Sequence, residues 1–125
     1  MPVILIVEDD TFLSSTYRLK FTKVGFTVYI AMDGQEAINI LQNVRPDVIL
    51  LDLVMPVKDG FTVLSEVKAN DQYKTIPVIV TSNLSQKEDI DKAKGLGAAD
   101  FIIKSDVSLD DLVKKVQNLL AGKPG

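Results

Sequence analysis

The chain has no cysteine and no histidine. The first absence excludes disulfides and thiolate metal sites; the second removes the usual general base, the commonest zinc ligand and any phosphohistidine on the chain itself. No apolar run approaches the roughly 20 residues that a membrane-spanning helix needs. Met1-Pro2 leads straight into an apolar segment with no basic n-region or cleavage site, so the expectation is a cytoplasmic protein with no membrane contact. An excess of positive charge is missing too. With a net charge of −3 and a pI near 4.8, nothing invites a phosphate backbone, and direct nucleic-acid binding is not expected. Internal repeats and low-complexity tracts are also absent. Any acid, base or metal chemistry must run on carboxylates, lysines and hydroxyls.

What is present is ordinary for one globular domain: 125 residues, 46% hydrophobic and 25% charged, enough to bury a sizeable core. The domain is expected over 1–121, with 122–125, Gly-Lys-Pro-Gly, as a flexible tail. Its organising stretch is Val48-Ile49-Leu50-Leu51-Asp52. So short and apolar a run, β-branched at its start, reads as a strand buried on both faces. A turn-rich break follows at Met55-Pro56-Val57-Lys58-Asp59-Gly60, which puts Asp52 at the C-terminal edge, where open parallel sheets bind ligands.

In chain order, Val3-Ile4-Leu5-Ile6-Val7 is a second apolar run ending in acids, Glu8, Asp9 and Asp10. A helix capped by Asp10 and carrying Leu13, Tyr17, Phe21 and Val24 on one face follows and ends at Gly25. Phe26 to Ala31 reads as a strand, and Asp33 with Glu36 opens a helix, capping-box fashion, that runs to about Asn43. Arg45-Pro46 stops it. Asp59 caps a helix that buries Val63, Leu64 and Val67; Ile76 to Thr81 is the fourth strand, entered through Pro77. Ser85 to Glu88 reads as a capping box for a helix with a thin apolar face, Ile90 and Ala93. Phe101 to Ile103 is the fifth strand and ends on Lys104. Ser108 to Asp111 caps a last helix with a full stripe: Leu109, Leu112, Val113, Val116, Leu119 and Leu120. Five strands alternating with five helices predict an α/β fold, a doubly wound parallel sheet covered on both faces. The order 2-1-3-4-5 is a known solution for five such units rather than something spacing dictates, and it sets the first and third strands side by side.

Glu8, Asp9 and Asp52 then converge on one crevice. Three close carboxylates raise one another's pKa unless a cation neutralises them, and all-oxygen ligation suits magnesium better than zinc. A carboxylate beside such an ion, with a lysine and a hydroxyl near, suits phosphoryl transfer. Asp52, the lone acid on its strand, is the candidate nucleophile; Lys104 and the Thr81-Ser82 pair close neighbouring strand ends.

These residues resemble, over essentially the whole chain, the receiver domain of two-component response regulators, in the manner of the chemotaxis-regulator-like single domains. The resemblance rests on Glu8-Asp9, Asp52-Leu53-Val54-Met55-Pro56 with Gly60, Ser82 and Lys104. It implies the flavodoxin-like fold and a phosphorelay role. Asp52 would be the phospho-acceptor. Asp9 would ligate magnesium directly, Glu8 would do so through water, the Val54 carbonyl would add an oxygen, and manganese could substitute. Lys104 would pair with the phosphoryl group, Ser82 rather than Thr81 would be the switch hydroxyl, and Phe101 the switch aromatic. A sensor histidine kinase or histidine phosphotransfer protein would be the donor. The fourth helix, fifth strand and last helix would meet an unknown output protein, and the chain would be no enzyme beyond its own phosphorylation and dephosphorylation.

Three departures from the family stand out. Ser105 follows Lys104 where proline, often after a cis bond, is usual; a cis bond without proline costs about 3 kcal/mol. Asn83 replaces a small residue after the switch hydroxyl, which implies narrower access to Asp52 and a part in tuning dephosphorylation. Val54 and Leu84, at the positions that tune water access to the acyl phosphate, cannot orient water, which implies slow dephosphorylation. A receiver that is part of a larger regulator would read the same way. An aspartyl-phosphate phosphatase would want a second acid where Val54 stands, and a flavin protein would want a phosphate-binding loop where Glu8-Asp9-Asp10 stand.

Overall fold

The structure is a computed structural model that describes residues 2–55, 57–83 and 86–122. Strands and helices alternate: β1 (Val3–Val7), α1 (Thr11–Lys23), β2 (Thr27–Ala31), α2 (Gly34–Leu41), β3 (Val48–Asp52), α3 (Gly60–Ala69), β4 (Val78–Ser82), α4 (Lys87–Gly95), β5 (Asp100–Ile103) and α5 (Leu109–Leu120). A 3-10 turn at Lys104–Asp106 joins β5 to α5. All strand pairs are parallel, in the order β2-β1-β3-β4-β5, which is the expected doubly wound fold.

The period-two alternation of each strand sorts its side chains into two cores. Leu5, Val7, Ile49, Leu51, Val78 and Val80 pack with Ala37 and Leu41 of α2, Val63, Leu64 and Val67 of α3, and Ala93 of α4. Ile4, Ile6, Val48, Leu50, Ile79 and Ile102 face the other way, onto Tyr17 and Phe21 of α1 and Leu112, Val113 and Val116 of α5. β3 and β4 are buried at every position, which is why both read as apolar runs up to the polar residues at their C-terminal ends, Asp52 and Thr81-Ser82.

Side chains cap four helices where the sequence places them. Asp10 accepts from Leu13 N (3.0 Å), Asp33 from Glu36 N (2.8 Å), Asp59 from Thr62 N (2.9 Å) and Ser108 from Asp111 N (3.1 Å). Each satisfies one amide that the first turn leaves unpaired. α4 differs: Ser85 lies outside the described residues, and Gln86 holds the N-cap position without a side-chain cap bond.

Element ends shift for local reasons. Val24 is not on the buried face of α1; it is the C-cap and 38% exposed. Gly25, at φ +102°, turns the chain so that Phe26 N bonds Phe21 O, and the Phe26 ring meets Phe21 edge-on at 5.1 Å. Phe26 thus fills the place expected for Val24, and β2 begins one residue later. α2 closes at Leu41, short of Asn43, because the amides of Asn43 and Val44 both fold back to Ile40 O. β4 runs from Val78 to Ser82 rather than from Ile76 to Thr81; Ile76 and Pro77 lead into it, and Pro77 O accepts from Ile49 N. β5 gains Asp100. Gly122 follows α5, and the rest of the expected tail, 123–125, lies outside the described residues.

Candidate functional site

β1 and β3 are neighbours at the point where the strand order reverses, so the ends of both open on one crevice. Glu8 directly follows β1, its amide bonded to Ala31 O at 3.0 Å, and its carboxylate is 2% exposed. Asp52 ends β3 and is buried; Asp9 is exposed. One carboxylate oxygen from each lies within 4.8 Å of the others. Three hard oxygen donors so spaced, with no nitrogen or sulfur donor among them, fit magnesium or manganese.

Lys104, the first residue beyond β5, crosses the cleft mouth. Its Nζ donates to Glu8 Oε1 at 2.6 Å and lies 3.3 Å from Asp52 Oδ2. Glu8 Oε2 accepts from Asp10 N at 3.2 Å, and Asp52 Oδ1 accepts a long bond from Val54 N at 3.4 Å. Burial pushes the Glu8 carboxyl above its ordinary range; Lys104 opposes this and the Asp52 charge adds to it. Burial works against the Lys104 ammonium as well, but its contacts with Glu8 and Asp52 prevail and hold it above the usual lysine value.

Asp52, Val54, Ser82, Asn83 and Lys104 line an open cleft. Thr81 shares in a separate cavity on the α1 side, so the two adjacent hydroxyls face different spaces. Val54 is 61% exposed and Asn83 is exposed at the rim. Phe101, beside Val80 in the sheet, is half-buried against the core that α2, α3 and α4 cover. Pro56 and Leu84 lie outside the described residues. No cis peptide occurs among the described residues, so the Lys104-Ser105 bond is trans.

Gly60 shows how tightly α3 is set beneath the acid. A Cβ there would meet Asp52 O at 2.3 Å and Leu53 Cα at 2.5 Å, and Gly60 N bonds Leu53 O at 2.9 Å. Any larger residue would push the helix off the strand end.

Two features of the site escaped the sequence. Lys104 makes its shortest contact with Glu8, not Asp52, a partnership across 96 positions that spacing does not reveal. Tyr17 reads as one more residue of the α1 stripe, yet it shares a cavity with Lys104 and Thr81. Burial raises its phenol pKa, with Lys104 opposing and Glu8 and Asp52 adding to the rise. Its hydroxyl on an otherwise apolar stripe was the available signal.

The chain matches the family described as the response regulator receiver domain over residues 4–117. It is 35% identical over 106 residues to the transcriptional regulatory protein AfsQ1 of Streptomyces coelicolor, covering 83% of this chain and 45% of that protein. Among solved structures it is similar to the Mn(2+)-bound form of response regulator Rcp1, at 35% identity and a TM-score of 0.80, covering 95% of this chain and 91% of the other. It is similar also to the phosphorylated cyanobacterial phytochrome response regulator RcpA, at 33% identity and a TM-score of 0.82, covering 94% and 90%. The chain spans about half the length of the curated relatives it matches.

Proposed function

The chain belongs to the response regulator receiver domain family, and from that premise we propose that it is a phospho-acceptor switch in a two-component phosphorelay, with Asp52 as the acceptor. The observation that carries the reading is the setting of Asp52. It is a buried strand-end carboxylate with an ammonium 3.3 Å away, in a cleft shared with the Ser82 hydroxyl. One Asp52 oxygen attacks the phosphorus of the donor, a new P–O bond forms, and the bond to the donor breaks with its electron pair leaving on the donor. Lys104 holds its proton and places positive charge against the phosphoryl oxygens. Glu8, Asp9 and Asp52, with the Val54 carbonyl, would hold a magnesium ion, or manganese in its place, which when bound supplies further positive charge to those oxygens. Ser82 then turns to the phosphoryl group and Phe101 moves inward, which alters the face made by α4, β5 and α5. Water later attacks phosphorus, releases inorganic phosphate and restores the carboxylate.

Lacking histidine, the chain draws its phosphoryl group from a sensor histidine kinase, a histidine phosphotransfer protein or a small acyl phosphate. The output protein is unidentified. RpaA of Synechocystis is named a DNA-binding regulator and this chain covers 49% of it; by the same proportion the domain, 1–121, can serve as the receiver part of a longer regulator. For the domain itself we propose protein contacts rather than nucleic acid, and no substrate beyond its own phosphoryl group. No helix among the described residues is long and apolar enough to cross a membrane, and a cytoplasmic site of action goes with the kinase donor.

Intact mass after incubation with magnesium and acetyl phosphate tests the reading. The expected result is one added phosphoryl group that requires both the ion and Asp52, absent in Asp52→Ala. A gain that survives Asp52→Ala would overturn the assignment. The side chains of Val54 and Leu84 offer no hydrogen bond to water, so the phosphorylated form is expected to decay slowly. Val54→Asn with Leu84→Glu shortens its lifetime; an unchanged lifetime would refute the tuning role.

A further inference from the structure

Beside Lys104, α1, β5 and α5 border a half-open cavity of about 160 Å³. Leu13, Tyr17, Ile102, Val107 and Leu112 line it, with Thr81 and Lys104 at its inner wall. The volume is close to the roughly 150 Å³ that holds a benzene ring in an apolar core. It therefore takes a small apolar body, not a nucleotide.

Thr16 and Leu109 belong both to this cavity and to a second groove that continues along α1 to Leu19, Lys20 and Lys23. From Thr16 to Lys23 the helix advances about two turns, on the order of 10 Å. The channel is thus apolar at the inner end, flanked by Leu19 with 75% of its surface exposed, and cationic at the outer end. Lys20 is occupied by Asp110 at 2.5 Å. Lys23 has no ion pair within contact distance among the described residues, although it lies in the field of Asp110. At the inner end, the Lys104 ammonium that lines the cavity is already taken up by Glu8 at 2.6 Å and lies 3.3 Å from Asp52, so it offers an anion less than Lys23 does. Charge therefore sets one orientation, with any anionic head outward.

We infer that this channel is a second binding site, for a free medium-chain carboxylic acid whose apolar body fills the cavity between α1 and α5 and whose carboxylate meets Lys23. It is separate from the acidic cleft and shares one wall with it, the Lys104 side chain.

The test is a titration of the whole chain with octanoate, followed by methyl NMR, beside octanol and butyrate. Octanoate gives saturable shifts at Ile102, Val107 and Leu112, and butyrate binds at least roughly tenfold more weakly because it buries fewer methylenes. Lys23→Glu weakens octanoate roughly fivefold, the scale of an exposed charge contact, and leaves octanol unchanged. Shifts that do not saturate, or that appear at Val54 in the acidic cleft instead, overturn the site. Equal weakening of octanoate and octanol by Lys23→Glu overturns the head-group assignment. Val107→Phe blocks both ligands; should that variant not fold, the shift map on the unaltered chain still decides.

Discussion

α4 and α5 flank the same edge of the sheet and are held in opposite ways. α5 buries Leu112, Val113 and Val116, carries the Ser108 cap and reaches α1 through Lys20–Asp110 at 2.5 Å. α4 buries Ala93 alone among its residues and starts without a side-chain cap. Its ion pair, Lys87–Asp91 at 2.7 Å, stays within the helix. Its outward tie is Lys92, whose ammonium sits 4.3 Å from the Phe61 ring centroid on α3. A helix with so little buried surface opens locally at small cost, whereas one that closes a core moves only with the core. Within the face proposed above, α5 is the frame and α4 the part free to respond.

The contrast breaks most visibly at the buried stripes. Leu112→Ala is expected to cost about 2–5 kcal/mol, the range for a large-to-small change in a packed core. Ile90→Ala on α4, a half-buried position, should cost clearly less, about 1 kcal/mol. Urea denaturation of both variants measures the difference; equal losses would show that α4 is clamped as firmly as α5. A smaller effect separates the helix starts. Ser108→Ala removes a cap and should lose about 1 kcal/mol, while Gln86→Asp supplies one and should stabilise by a similar or lesser amount. Slower amide exchange confined to α4 in Gln86→Asp is the readout, and unchanged exchange would refute the idea that its open start keeps α4 loose.

The smallest effect lies in the α1–α5 ion pair. The Lys20 ammonium holds the Asp110 carboxyl below its ordinary range. The folded chain then gives up this proton more readily than the unfolded chain does. The stabilisation is fully present above the ordinary carboxylate range and is lost as pH falls through the lowered value. Asp110→Asn should lower the urea midpoint slightly at neutral pH and not at all in strong acid. An equal shift at both would mean the side chain acts through something other than its charge.

Much of this architecture was legible because burial on two faces leaves a plain mark. β1, β3 and β4 read as strands since almost nothing polar interrupts them, and the acids and lysine at their ends stood out against that background. Asp10, Asp33, Asp59 and Ser108 announced four helix starts because a capping side chain acts within three residues of itself. What stayed hidden depends on the chain meeting itself at a distance. Val24 fits the α1 stripe by spacing, but Gly25 turns the chain first and Phe26 takes the space. The Glu8–Lys104 bond joins strand ends that only the sheet order brings together. Ser14 is buried on α1 without an apolar side chain to mark it, its hydroxyl turned back to Thr11 O at 3.2 Å.

The complete burial of β3 and β4 also bears on how relatives of this chain can diverge. Every apolar position of those two strands touches one core or the other, so a substitution there is tested for packing before any partner meets it. Novelty has room chiefly on helix surfaces, because the loops beyond the strand ends also carry Glu8, Asp9 and Lys104. Recognition can therefore be rewritten generation after generation while the acidic pocket stays in place, because the two are inscribed on different parts of the same fold.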